Sequence, residues 1–73
     1  MKKHPTAADI VALFGGQRPL ARALGEAGHD IDASAINRWV SNGAIPPARW
    51  TQLRDLAAAR GLSLSLEDLA NAA

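Results

Sequence analysis

The chain has 73 residues, a formal net charge of +1 and no cysteine. That length supports one domain around one small core with little stability to spare, and the missing cysteine excludes a disulfide framework and a thiolate metal site. The small net charge argues against a non-specific architectural DNA binder held by bulk charge, and no apolar run is long enough to span a bilayer.

Lys2 and Lys3 open the chain without the apolar stretch that a signal peptide requires, so a cytoplasmic protein is expected. Thr6 to Phe14 reads as a first helix. Thr6 and Asp9 have the spacing of a capping box, and Ile10, Leu13 and Phe14 share one face. Gly15 and Gly16 break it.

Gln17 to Leu24 reads as a second helix. Pro19 is tolerated only in a first turn, which sets the start near Gln17 or Arg18. Leu20, Ala21 and Leu24 are expected on the inner face, with Arg18 and Arg22 pointing elsewhere. Gly25 is placed to end this helix in a left-handed conformation. Glu26 to Asp32 is a polar connection.

A third helix is expected to run to about Ser41, capped by Asp32 or Ser34. Ile36, Trp39 and Val40 give it an apolar stripe, and Asn42-Gly43 ends it. Ala44 to Pro47 is a rigid turn, with Pro47 suited to the first position of a fourth helix. Trp50, Leu53, Leu56 and Ala57 form that helix's buried stripe, and Gly61 stops it. Leu62 to Leu66 alternates like a strand but has no partner strand, so an extended connector is expected. Ser65 and Asp68 then cap a last short helix to about Asn71.

The third helix carries the functional signal. Ser34, Asn37, Arg38 and Ser41 lie at i, i+3, i+4 and i+7, on one exposed stripe. Asn pairs bidentately with adenine N6 and N7, Arg with guanine O6 and N7, and Ser meets a base or a phosphate. Such residue types also occur on an ordinary solvated face, so the surrounding spacing has to decide. A helix-turn-helix needs a small residue where its helices cross, a turn residue tolerant of positive φ, and an apolar anchor in the reading helix. Gln17, Leu20-Ala21, Leu24-Gly25, Ile36 and Trp39 fill those places.

The string Gln17-x-x-Leu20-Ala21-x-x-Leu24-Gly25, followed by Ile36-x-x-Trp39, resembles the helix-turn-helix of Cro and cI-type phage repressors. Ser34-Ala35-Ile36-Asn37-Arg38 is similar to the reading helix of lambda-type Cro. Trp39-Val40-Ser41-Asn42-Gly43-Ala44-Ile45-Pro46 also resembles YdaS-type prophage regulators. The resemblance covers roughly residues 6 to 60. It implies a lambda-repressor-like fold, base contacts from Ser34, Asn37 and Arg38, and repression by promoter occupancy. Two departures stand out. Ala33 replaces the Gln expected before the Ser, and the turn is about five residues longer than the compact motif, an insert of roughly Glu26 to Asp30.

Other features carry less. Trp39 and Trp50 sit in apolar stripes, so they read as core side chains and not as stacking platforms. His4 and His29 lack the spacing of a metal site. Gly15-Gly16 matches no phosphate loop, and no nucleophile with a base is in sight, so an enzyme is not expected. Lys2 and Lys3 read as an arm along DNA or as a plain tail.

The expectation is therefore an all-α domain of four to five short helices spanning residues 1–73, with Leu20, Ala21, Leu24, Ile36, Trp39, Val40, Trp50 and Leu53 in its core. Gln17, Arg18, Arg22 and Arg49 would hold phosphates of double-stranded DNA. Ser34, Asn37, Arg38 and Ser41 would read bases. No metal, cofactor, small-molecule ligand or membrane partner is expected. A homodimer on DNA is, with its surface drawn from residues 61–73, where Leu62, Leu64, Leu66 and Leu69 exceed one small core's need. The rival expectation is an antitoxin-like protein-interaction module using that leucine surface.

Overall fold

The computed structural model describes residues 5–71, so Lys2, Lys3 and His4 lie outside the described residues. The domain is all-α: α1 is Ala7–Leu13, α2 Gln17–Glu26, α3 Ala33–Asn42, α4 Trp50–Ala59 and α5 Leu66–Ala70. A 3-10 turn at Pro47–Arg49 leads into α4. The described residues contain no strand, and Leu62 to Ser65 is an irregular connector as expected.

Both ends with capping-box spacing form the box. The Asp9 amide donates to Thr6 Oγ1 at 3.1 Å, and the Thr6 amide donates to Asp9 Oδ2 at 3.0 Å. Ser65 and Asp68 repeat the reciprocal pair at 3.1 Å each. Each box satisfies two N–H groups, one of the orphan donors of the first turn and that of the cap residue itself. That support matters most for α5, only five residues long and too short to persist alone.

The second helix departs from expectation at its end. It runs through Gly25 to Glu26, and Gly28 takes the positive φ, at 91°. The amide of His29 reaches back to the Leu24 carbonyl at 2.8 Å, and that of Gly28 to the Gly25 carbonyl at 3.1 Å. This is the paired closure in which the glycine just past the helix turns left-handed. A single turn residue with glycine's freedom was the requirement, and Gly28 meets it three positions later than Gly25. The connection between α2 and α3 is correspondingly Ala27 to Asp32, since Glu26 is still helical.

Opposite effects are therefore expected at two glycines. Gly25→Ala adds a methyl to open space in an exposed helix interior and should stabilise by roughly 0.4–1 kcal/mol. Gly28→Ala forces a β-carbon into the left-handed region and should cost about 1–2 kcal/mol. Thermal melts of the two variants should move in opposite directions by several degrees, at roughly 4–8 °C per kcal/mol for a domain of this size.

The core is wholly apolar among the described residues. It contains Ala7, Ile10, Val11, Phe14, Leu20, Ala23, Leu24, Ile36, Trp39, Ile45, Leu53, Ala57, Leu64 and Leu69. Of the residues expected there, Ala21, Val40 and Trp50 are only partly buried and pack on its edge. In α2 the buried alanine is Ala23, because the helix presents its Leu20–Ala23–Leu24 face inward. Trp50 keeps its indole N–H at the edge, where it donates to the Ile45 carbonyl at 2.8 Å. That bond ties the start of α4 to the turn after α3 and satisfies the one polar atom of the ring. At the other end of α4 the Arg60 guanidinium lies 5.9 Å from the centre of the Phe14 ring, against the end of α1.

The leucine segment corrects another expectation. Leu64 and Leu69 are buried in this chain's own core, and Leu62 packs against it. Only Leu66, at 37% exposure, remains outside. The core therefore extends to Leu69 and does not stop near residue 60. The segment closes α4 through α5 and does not hold a spare apolar surface. Leu64→Ala should cost roughly 2–5 kcal/mol in urea unfolding. Leu66→Ala should cost under about 1 kcal/mol, with a melting temperature independent of protein concentration. The reverse ranking would restore a pairing role for this segment.

Candidate nucleic-acid interface

The exposed polar stripe is built by α3. Ile36 and Trp39 are buried against the rest of the domain, and α3 packs on both α1 and α2. Burying that face leaves Ser34, Asn37, Arg38 and Ser41 on the exposed face, and all four are exposed. The rotation of α3 about its own axis is set by the buried anchors, so the stripe is held by packing and not by its own side chains.

The start of α3 differs in detail from expectation. Asp32 occupies the N-cap position but makes no side-chain capping hydrogen bond, and Ser34 lies inside the helix. Neither expected cap closes the first turn with its side chain, so that turn keeps N–H groups open. Gly43 ends α3 with φ 70° and the same paired closure seen after α2.

Gln17 is brought to this stripe. Its Nε2 donates to Asn37 Oδ1 at 3.0 Å, linking the first residue of α2 to the middle of α3. The expected phosphate contact and an expected base contact are thus partners. Residues 20 positions apart give no local signal for such a bond, and only the α2–α3 packing reveals it.

Arg18 and Arg22 are exposed on α2 and flank a shallow recess of about 230 Å³ with Pro19, Ala23 and Glu26. Among the described residues the one ion pair joins Arg54 and Asp55 at 3.5 Å, and both of its side chains are largely exposed. Arg18, Arg22 and Arg38 therefore have no ion-pair partner among the described residues. Arg49 stands apart. It is half-buried in the 3-10 turn, and its Nη1 donates to Gln52 Oε1 at 3.0 Å. Its hydrogen bond runs to α4 and not to α3.

The described residues hold no group of three or more His, Asp and Glu placed to bind a metal ion, and none of their helices is long and apolar enough to cross a membrane. His29 is half-buried in the α2–α3 connection with no side-chain hydrogen bond among the described residues.

No family model, curated protein or solved structure matches this chain.

Proposed function

We propose that this protein is a sequence-specific binder of double-stranded DNA that inserts α3 into the major groove. The observation that carries the reading is the exposed Ser34, Asn37, Arg38 and Ser41 stripe on a helix whose opposite face is locked into the core. Those side chains offer both donors and acceptors, which base edges in the major groove require for discrimination. Gln17, Arg18 and Arg22 approach the phosphates from α2 and set the docking register, since backbone contacts position while base contacts specify. Arg49 adds a more distant phosphate contact.

By resemblance the protein is a phage-type repressor, of the Cro, cI or YdaS kind, acting in the cytoplasm as a dimer over paired half-sites. Its effect follows from occupying a promoter, without enzymatic chemistry, metal or cofactor. The test is selection of binding sites from random duplex DNA at about physiological salt. Enrichment of a two-fold symmetric site supports the reading. No enrichment of any sequence would overturn it and leave the antitoxin-like interaction module in its place.

A further inference from the structure

A carboxamide has chemically opposite ends, an oxygen that only accepts and a nitrogen that only donates. The terminal torsion of Asn is broad and roughly two-fold, so an unrestrained side chain presents either end outward. A base edge distinguishes those ends. Oxygen outward suits the amino groups of cytosine and adenine. Nitrogen outward suits the acceptors of guanine, the N7 of adenine and the O4 of thymine.

Asn37 is not unrestrained. Among the described residues, the Gln17–Asn37 contact is the one hydrogen bond between side chains of different α-helices. Gln17 Nε2 donates and Asn37 Oδ1 accepts, at 3.0 Å. We propose that Gln17 is the positioning residue that decides specificity at the base facing Asn37, by holding Oδ1 toward α2 and leaving the Nδ2 donors for the base. The inference rests on the DNA-reading function proposed above and adds to it which end of Asn37 does the reading.

The surroundings favour a defined geometry. Gln17 is half-buried at the first position of α2, directly after the Gly15–Gly16 turn and two residues before Pro19. Its backbone is therefore fixed at the point from which the amide reaches across. Asn37 follows the fully buried Ile36, so its own backbone cannot rotate away. The neutral amide of Gln17 is the feature that matters. A carboxylate there would only accept, and would hold the opposite end of Asn37.

Two substitutions separate this role from a phosphate contact. The wild-type protein should reject cytosine at the position facing Asn37, since that base offers only a donor there, and favour a base whose N7, O6 or O4 accepts from Nδ2. Gln17→Ala should lose most of that discrimination, roughly tenfold, while preferences at the other positions persist. Gln17→Glu should turn the amide, so that guanine is disfavoured and a base bearing an amino group, cytosine or adenine, is selected. The added negative charge weakens binding to all sequences by a common factor, which cancels in the ratio between bases at one position.

The experiment is the same selection from random duplex DNA, run on wild type, Gln17→Ala and Gln17→Glu. It is joined by NMR of the Asn37 side-chain amide in the free proteins. The expected NMR result is one ordered amide orientation in wild type, close to the Gln17 amide protons, and averaging in Gln17→Ala. Uniformly weakened binding in Gln17→Ala with an unchanged base profile would assign Gln17 to phosphate alone. That outcome overturns the inference and leaves DNA reading standing. Equal averaging of Asn37 in wild type and Gln17→Ala would overturn it from the free protein. Absence of any enriched sequence with wild type is a different failure, of the DNA-reading function, and this specificity role falls with it.

Discussion

Ile36→Ala is expected to cost roughly 2–5 kcal/mol of stability, the range for truncating a fully buried aliphatic side chain in a core that only partly collapses. Ile36 is 0% exposed and sits on the face of α3 that packs on α1 and α2. The loss is large against the whole. At about 0.05–0.15 kcal/mol per residue, a 73-residue domain has only about 4–11 kcal/mol in total. Urea unfolding followed by circular dichroism should show a much lower midpoint with a nearly unchanged slope. DNA binding should fall with the folded fraction and keep its sequence preference in whatever remains folded. A cost below about 1 kcal/mol would mean that α3 is anchored elsewhere, and the fixed stripe would lose its physical basis.

Arg38→Ala and Asn37→Ala are expected to act on reading and not on folding. Both side chains are exposed, so stability should stay within about 0.5 kcal/mol of wild type. In the selection Arg38→Ala should relax one base position per half-site by roughly 1–3 kcal/mol, a factor of about 5 to 150, and Asn37→Ala should relax another by roughly tenfold. Arg18→Ala and Arg22→Ala should behave differently. They should weaken every sequence alike and lower the steepness of the salt dependence by about one unit each. If Arg38→Ala instead behaved like Arg18→Ala, α3 would be lying along phosphates and not in the groove. The comparison works because base and backbone contacts leave different signatures in the same assay.

Much of this domain was readable along the chain. Thr6 with Asp9, and Ser65 with Asp68, announce helix starts because a capping box is a contract between residues three apart. Pro19 placed the start of α2, and the Ile36–Trp39 spacing set the inner face of α3. That spacing in turn placed Ser34, Asn37, Arg38 and Ser41 on the outside. The misreadings share one cause. Gly25 and Gly28 are equally able to take positive φ, and which one does depends on where the α2 face stops finding partners. Leu64 and Leu69 looked surplus because no pattern of 73 residues tells whether a leucine packs on its own chain or on another. The connector brings them back under α4, and that is a property of the assembled helices.

The amino-acid sequence by itself determined the helices, their caps at α1 and α5, the apolar face of α3 and the residue types left on its outer stripe. These follow from interactions between residues within a turn or two of each other. The tertiary structure alone decided that Ala23 and not Ala21 enters the core, that α5 is part of the fold, and that Gln17 grips Asn37. Each of those depends on the rotation and approach of whole helices, which buried apolar area sets collectively and no short stretch of chain encodes.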